Sequence, residues 1–285
     1  MKFNHLLQSK EGNEMKEIII FGTGKMAEEI AEELIRNKYR VIFYTQRTDI
    51  EEINKVLSGK FMKNTSFEVI HYDEISLGED KYIKNVSIII EASKAENNRR
   101  LQILKLLSKV TTGSQIVITN TQVQSITYLA SKYKYKESLL GIQFYSPVIS
   151  MEVVGIVKSE ISSENAVEKA KKLIFSIHKN PVVIDDSPGF VVGKIMVSLI
   201  IEAIRMVEEG IQTAECIDKI IVLGMNLKQG PLALADKIGL DIVKNSLDTL
   251  YYETKDPRYR PCKLLNDLVI SNHLGVKTKR GIYSY

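Results

Sequence analysis

The sequence predicts two domains of different fold class, an α/β domain followed by an all-helical domain. Short apolar runs alternate with amphipathic helical patterns over residues 17–184, which is typical of a parallel sheet with helices on both faces. After the turn-forming segment at residues 185–189, only helical patterns follow until the last residues. The length of 285 residues fits about two domains. We therefore expect a frayed tail at residues 1–14, the α/β domain at 15–185 and the helical domain at 186–285.

Individual elements follow from the periodicity of the apolar residues. The strands are predicted at residues 17–21, 41–44, 67–70, 86–90, 115–118, 139–144, 151–157 and 182–184. Helices between the early strands are predicted at residues 25–37 and 49–57. In the second domain, helices are predicted at residues 190–209, 214–223, 232–252 and 263–272. Glycines separate these helices and are expected to act as C-caps or turns.

Composition excludes several classes of protein. Apolar residues make up 44% of the chain and charged residues 26%, as in a soluble globular protein with a substantial core. The net charge of +4 is too small and too dispersed for a nucleic-acid groove. No stretch has the pattern of a membrane span or a secretory signal, so we expect a cytoplasmic location. Two cysteines, Cys216 and Cys262, without CxxC spacing argue against a disulfide scaffold or a zinc site.

A glycine-rich turn joins the first predicted strand to the first predicted helix. Its residues are Gly22, Thr23, Gly24, Lys25, Met26 and Ala27, a G-x-G-x-x-A fingerprint in a strand–turn–helix context. The first glycine permits the tight turn, the second lets the backbone approach a pyrophosphate, and the small third residue lets the helix pack on the strand. The helix N-terminus offers free N–H groups to phosphate. The pattern predicts a Rossmann dinucleotide site; a plain tight turn is the alternative.

The end of the second strand predicts which dinucleotide binds. An NAD site commonly has Asp or Glu here to hold the ribose 2′-hydroxyl. This chain has Thr45, Gln46 and Arg47 instead, and a guanidinium suits a phosphate. Asp49 lies beyond the strand and is interpreted as an N-cap of the next helix. We therefore expect NADP rather than NAD, the alternative being that Arg47 is simply solvated.

The chain from residue 15 to residue 285 resembles the L-3-hydroxyacyl-CoA dehydrogenase family. The segments that carry the resemblance are Asp186-Ser187-Pro188-Gly189-Phe190, Gly230-Pro231, Ile238-Gly239-Leu240-Asp241, Asp256-Pro257-Arg258-Tyr259-Arg260-Pro261 and Gly281-Ile282-Tyr283. The resemblance implies a Rossmann domain, an all-helical domain that forms a homodimer, and a substrate cleft between the domains. It also implies that Ala92, Arg100 and Asn120 lie at the cofactor.

The family's catalytic side chains are replaced in this chain. In the family, a His in an H-F-x-N-P motif takes the proton of the alcohol, and a Glu twelve residues later orients that His. Here these positions hold Gln143 and Gly155. The Ser of the family's N-T-S-S motif corresponds to Gln122, and the Asn-Arg pair after the D-x-P-G-F motif corresponds to Gly193 and Lys194. The chain also has room for only one short helix between residues 45 and 91, where the family commonly has a longer helical hairpin that contacts CoA.

Four residues remain as candidates for catalysis or substrate positioning. Tyr145 could donate a proton to a developing alkoxide, although a packed aromatic residue is the simpler interpretation. Lys194, at the start of the first C-terminal helix, could face the cleft or simply stand in for the family's Arg. Gln122 and Gln143 are suited to positioning a substrate, because an amide does not exchange protons near neutral pH.

These observations favour hydride transfer between NADP(H) and a carbonyl, hydroxyl or imine compound. An iminium carries its own proton and accepts hydride directly, so its reduction needs less acid catalysis than that of a ketone. The alternative from another class is a non-catalytic NADP-binding scaffold or sensor. The substrate could be a free small molecule or be attached to an acidic carrier protein. Residues 132–136, where lysines and tyrosines alternate, could be the docking patch for such a carrier. A solvated turn is the simpler interpretation of that segment.

Overall fold

The computed structural model describes residues 16–46, 49–63, 65–72, 81–93, 97–121 and 124–285. These residues form two compact units. The first contains the described residues up to Thr121 together with Ile126–Asp186. The second contains Ser187–Tyr285 and residues 124–125. Each unit is described by itself.

The first unit is built on one eight-stranded sheet of order β3-β2-β1-β4-β5-β6-β7-β8. The strands are β1 (Glu17–Phe21), β2 (Arg40–Thr45), β3 (Phe67–His71), β4 (Ile88–Glu91), β5 (Ile116–Asn120), β6 (Leu139–Gln143), β7 (Val153–Lys158) and β8 (Asn180–Asp185). The predicted α/β class is confirmed. The expectation of a purely parallel sheet is wrong at one place, because β7 runs antiparallel to β6. The connection between them is only nine residues long and cannot make a parallel crossover, which needs a dozen or more.

An α-helix follows each strand of this unit up to β5, and another lies between β7 and β8. The helices are α1 (Lys25–Arg36), α2 (Ile50–Ser58), α3 (Lys81–Asn85), α4 (Asn97–Val110), α5 (Ile126–Ser131) and α6 (Glu164–Ser176). The central strands read as continuous apolar runs because both faces of the sheet are covered. In β1, Ile18, Ile19, Ile20 and Phe21 are all buried. The apolar face of α1, with Ala27, Ile30, Ala31 and Leu34, packs into the same core.

The second unit is all helical, as the sequence predicts. Its helices are α7 (Val192–Glu208), α8 (Ala214–Met225), α9 (Pro231–Ile238), α10 (Leu240–Thr254) and α11 (Lys263–Ile270). The single helix predicted at residues 232–252 is wrong, because two helices meet at Gly239. The backbone there has φ 106°, which favours glycine and interrupts the α-helix. No helix among the described residues is long and apolar enough to cross a membrane.

Two buried carboxylates organise the second unit. Asp218 accepts hydrogen bonds from the backbone N–H groups of Leu232 and Ala233, both at 2.8 Å, and so caps the start of α9. Asp236 accepts from the N–H groups of Ile282 and Tyr283 at 2.9 and 2.8 Å. These bonds give both acids a structural role, since a buried carboxylate is stable only when it is paired or well hydrogen-bonded.

Candidate functional site

The glycine-rich turn lies at the carboxyl end of β1 and leads directly into α1. Gly22 has φ 134° and Gly24 has φ 94°, so both adopt a backbone conformation that other residues rarely enter. Gly24 is the N-cap of α1 and supplies no side-chain hydrogen bond to the helix. The first N–H groups of a helix have no partner within the helix. The turn therefore presents backbone donors of the kind that bind phosphate.

The other residues of the turn take different places. Ala27 is fully buried where α1 packs on the sheet, as the fingerprint requires. Met26 is partly buried and packs against the same core. The Lys25 side chain is 80% exposed, and its Nζ lies 3.7 Å from Oε1 of Glu29. Lys25 therefore contributes a positive charge at the mouth of the turn without a tight internal partner.

Two buried hydroxyls test whether a dinucleotide fits this end of the sheet. Thr23 follows β1 and Thr45 ends β2, and both are buried. Within the described part of the chain, neither Oγ1 atom has a hydrogen-bond partner. Buried polar atoms are nearly always satisfied in folded proteins, so unsatisfied ones indicate a ligand or water. Their position at the strand ends fits a bound dinucleotide. Gln46 is exposed, and Arg47 lies outside the described residues.

A buried ion pair joins the ends of β4 and β5 to α4. Arg100 donates from Nε to Oε2 of Glu91 at 2.7 Å and from Nη2 to the Asn120 carbonyl at 3.0 Å. Glu91 also accepts from the Ser93 N–H at 2.9 Å. The structure thus gives the Arg100 side chain a structural role. Contacts of Arg100, Ala92 and Asn120 with a cofactor stay predictions.

The strand register brings together Gln143 and Gly155, the two positions at which the family resemblance implies a catalytic pair. Gln143, at the end of β6, lies directly opposite Gly155 of β7 in the antiparallel ladder. A Cβ atom added to Gly155 would meet Gln143 Oε1 at 3.2 Å and Gln143 Cβ at 3.3 Å. The buried Gln143 side chain therefore lies over the glycine, in the space where a residue-155 side chain would begin. The two replacements match each other, because the amide needs the room that the glycine leaves.

Tyr145 is the ionisable residue nearest to this amide in the same loop. Its hydroxyl donates a long hydrogen bond of 3.4 Å to Gln143 Oε1. Burial raises the pKa of the Tyr145 phenol above its ordinary value. The group is therefore neutral at physiological pH and acts as a hydrogen-bond donor, not as a base.

The loop that carries Tyr145 is hydrogen-bonded to α1. Glu29 of α1 accepts hydrogen bonds from Ser146 Oγ and from the Val148 N–H, both at 2.9 Å. On the other side, buried Lys179 donates to the carbonyls of Val148 and Met151 at 2.7 and 3.0 Å. Lys179 Nζ also lies 3.3 Å from buried Glu33 of α1. These contacts fix the loop beside the helix that begins at the glycine-rich turn.

Sequence reasoning missed these anchoring residues. Glu29 and Glu33 look like exposed charges of an amphipathic helix, and Lys179 looks like an ordinary turn residue. One signal was available, because Glu33 borders the predicted apolar face of the first helix. Burying an unpaired carboxylate there would cost folding free energy. Its partner is 146 positions away in the chain, so no local pattern could identify it.

The remaining candidates lie elsewhere. Lys194 is in the first turn of α7, in the second unit, with its Nζ 6.0 Å from the centre of the Tyr259 ring. The long distance makes this a weak cation–π contact. Gln122 lies outside the described residues. No group of three or more His, Cys, Asp or Glu residues that could hold a metal occurs among the residues described.

Comparison with known protein families identifies the relatives of this arrangement. Residues 17–187 match the NAD-binding domain of 3-hydroxyacyl-CoA dehydrogenase, and residues 189–285 match the C-terminal domain of the same enzyme. The chain belongs to the 3-hydroxyacyl-CoA dehydrogenase family. The predicted resemblance is thereby confirmed, and so is a nicotinamide-dinucleotide domain of an oxidoreductase family.

The relatives named below cover between 81% and 95% of the chain. A 3-hydroxybutyryl-CoA dehydrogenase of Clostridioides difficile is 38% identical over 231 residues, which are 81% of this chain and 82% of that protein. The mitochondrial hydroxyacyl-coenzyme A dehydrogenase of Sus scrofa is 29% identical over 95% of this chain and 91% of its own. The crystal structure of (S)-3-hydroxybutyryl-CoA dehydrogenase from Ralstonia eutropha superimposes with a TM-score of 0.85 at 29% identity, covering 95% and 99% of the two chains.

Proposed function

We propose that this protein is an NADP(H)-preferring oxidoreductase that transfers hydride to or from a carbonyl, hydroxyl or imine carbon without a His–Glu proton relay. The observation that carries the proposal is the Gln143–Gly155 pair in the β6–β7 ladder. An amide lying over a glycine replaces the base and its orienting acid. We infer hydride transfer from the family membership. We expect a different substrate because Gln143 and Gly155 stand where the family has its His and Glu.

The surviving polar groups suit a substrate that needs little proton transfer. General acid–base help typically contributes about 10²–10⁴-fold to a rate, and an amide cannot provide it. A neutral Tyr145 can still donate a hydrogen bond to an oxygen or nitrogen that gains electron density during reduction. An iminium substrate requires no more than this, because its nitrogen already carries the proton.

The preference for NADP rests on the end of β2. Thr45 takes the position where an acidic residue would hold the ribose 2′-hydroxyls of NAD. A carboxylate there would repel a ribose phosphate, whereas the uncharged Thr45 does not. We further propose that the protein acts as a homodimer on a free or carrier-bound small molecule, as the family resemblance implies.

The experiment is a pair of measurements on the purified full-length protein. Fluorescence titration with NADPH and NADH reports binding, and steady-state oxidation of the bound cofactor is then followed with 3-ketoacyl thioesters, 2-keto acids and cyclic imines. We expect tighter binding of NADPH and turnover with an imine or a small carbonyl compound. Brisk reduction of acetoacetyl-CoA with NADH would overturn the proposal. Tight NADPH binding without turnover on any substrate would favour the scaffold or sensor instead.

Tyr145 gives a testable prediction about the reaction. Tyr145→Phe removes the hydroxyl but keeps the ring, and we expect kcat to fall about 10- to 100-fold, the range for one hydrogen bond to a charged group, while the Kd for NADPH changes less than twofold. Because the pKa of Tyr145 is raised, it stays protonated from pH 6 to pH 9, and kcat/KM should be flat there. A histidine base would instead give an inflection near pH 6.5. An unchanged kcat, or such an inflection, would exclude the role assigned to Tyr145.

A further inference from the structure

A second set of unsatisfied polar groups lies on the outer side of β2. Tyr72 directly follows His71, which pairs with Thr45 in the β2–β3 ladder. Arg99 comes from the first turn of α4. Within the described part of the chain, Tyr72 Oη and Arg99 Nε and Nη2 are buried and, like Thr45 Oγ1, lack a hydrogen bond of normal geometry, although the Arg99 guanidinium lies beside the Tyr72 hydroxyl. Four buried polar atoms without a well-formed hydrogen bond thus lie at the ends of β2 and β3 and at the start of α4.

Arg99 is the charged member of this cluster. Its side chain is only 16% exposed, and it forms an ion pair with Asp49, with 3.7 Å between Arg99 Nη2 and Asp49 Oδ2. That distance gives Coulomb attraction but is too long for a hydrogen bond. Two of the Arg99 nitrogen atoms, Nε and Nη2, are buried without a well-formed hydrogen bond, which is costly for a charged group. Its donors are therefore available to an anion with several acceptor oxygens.

The surroundings of Arg99 hold the cluster in place. The Tyr72 ring stacks on Phe21 with 5.8 Å between ring centres, and Phe21 stacks on Tyr44 at 5.0 Å. Burial raises the pKa of Tyr72 despite the nearby Arg99, so its hydroxyl remains a donor. Asp49 is the N-cap of α2, but its side chain makes no capping hydrogen bond. The carboxylate that the sequence assigns to capping instead faces Arg99.

We propose that Arg99 binds the phosphate on the adenosine ribose of NADP and that Asp49 tunes this affinity by opposing the phosphate charge. The inference rests on the proposed NADP preference and names the residue responsible for it. In a dinucleotide-binding fold the adenosine ribose lies at the end of the second strand. Thr45, Tyr72 and Arg99 all border that position. A planar guanidinium suits a phosphate because its donors match the spacing of the phosphate oxygens.

The test uses two small probes that differ only in the ribose phosphate. Isothermal titration with adenosine 2′,5′-bisphosphate and with adenosine 5′-phosphate is made on the full-length protein and its variants. We expect the unaltered protein to bind the bisphosphate about 10- to 100-fold more tightly, the range for charge-assisted hydrogen bonds. Arg99→Gln should bring the ratio of the two affinities, bisphosphate over 5′-phosphate, close to one. The affinity for adenosine 5′-phosphate itself should change less than threefold. Arg99→Lys should keep part of the preference.

Two further variants make the test specific. Asp49→Asn should raise the affinity for the bisphosphate, because the opposing charge is removed. Arg36→Gln is the matched control: Arg36 is an exposed arginine at the end of α1, bound to Glu32 at 2.8 Å, so its loss changes net charge equally and should leave the ratio unchanged. The melting temperature of each variant reports whether the fold is kept.

The outcomes separate the two proposals. If the unaltered protein shows no preference for the bisphosphate, the NADP preference itself fails, and the role of Arg99 fails with it. If the preference is present but survives in Arg99→Gln, only the role of Arg99 is overturned. If Asp49→Asn no longer binds adenosine 5′-phosphate, Asp49 holds the ribose hydroxyls directly, and the proposal that it tunes the affinity is wrong.

Discussion

Gly22→Ala is expected to abolish dinucleotide binding and to destabilise the first unit. Gly22 has φ 134°, and a Cβ atom there would lie 2.5 Å from both the Ala92 carbonyl carbon and the Ser93 nitrogen. Both are backbone atoms at the end of β4, so no rotation of a side chain can relieve the clash. Backbone strain and overpacking together cost about 2–6 kcal/mol in the free energy of unfolding. The turn must shift, and its N–H groups then no longer converge on a phosphate.

Urea unfolding and NADPH titration of the variant measure the two effects. We expect the Kd to rise at least 100-fold even where the variant remains folded, and the midpoint of unfolding to fall. Gly59→Ala is the control, because its backbone conformation is ordinary and the nearest atoms to an added Cβ are 3.7 Å away. It should change neither quantity appreciably. Normal binding by Gly22→Ala would mean that the turn does not contact the cofactor.

Lys179→Met is expected to lower the free energy of unfolding by about 3–5 kcal/mol, the usual cost of removing one partner from a buried ion pair. Lys179 and Glu33 are both buried, 3.3 Å apart, and Lys179 is also a donor to two loop carbonyls. Without it, Glu33 is left with an uncompensated charge, and the carbonyls of Val148 and Met151 lose their donor. The loop with Tyr145 should then be less fixed, so kcat should fall as well.

Chemical denaturation measures this loss, and a second substitution identifies its cause. Lys179→Met with Glu33→Leu removes both charges, so it should recover part of the stability lost in the single variant. Lys171→Met is the surface control: Lys171 pairs with exposed Glu168, and such a pair contributes no more than about 1 kcal/mol. Equal effects of Lys179→Met and Lys171→Met would contradict the proposed role of the buried pair.

The elements of the fold could be predicted because each leaves a local pattern. β1 and α1 are recognisable from an apolar run, a glycine turn and a periodic apolar face. The break at Gly239 was missed because apolar residues continue on both sides of it. An added Cβ atom at Gly239 would lie 2.9 Å from Lys277 Nζ, a neighbour from a distant segment that no local pattern reveals. The antiparallel direction of β7 also could not be read from apolar alternation, which is the same for both directions.

The candidate site was only partly predictable. The glycine turn is a local motif and was found, whereas family resemblance only aligned Gln143 and Gly155 with a catalytic pair and did not predict how the two residues are placed. The two residues lie opposite each other because of the register of two antiparallel strands. A spacing of twelve residues along the chain does not determine that register unless the geometry of the connecting turn is known. Arg99 gave no signal, because its neighbours Asp49 and Tyr72 come from separate segments of the chain.

Helix α1 begins at the glycine turn, and its Glu29 accepts hydrogen bonds from the loop that carries Tyr145. About one turn of helix therefore separates the glycine turn, where we propose that phosphate binds, from the residue that holds the Tyr145 loop. Side chains at the reacting centre can be exchanged during evolution while this helix keeps the distance between the turn and the loop constant. A different reaction then requires new side chains in the loop but no change in the fold. This property makes the protein a suitable starting point for designed reductases.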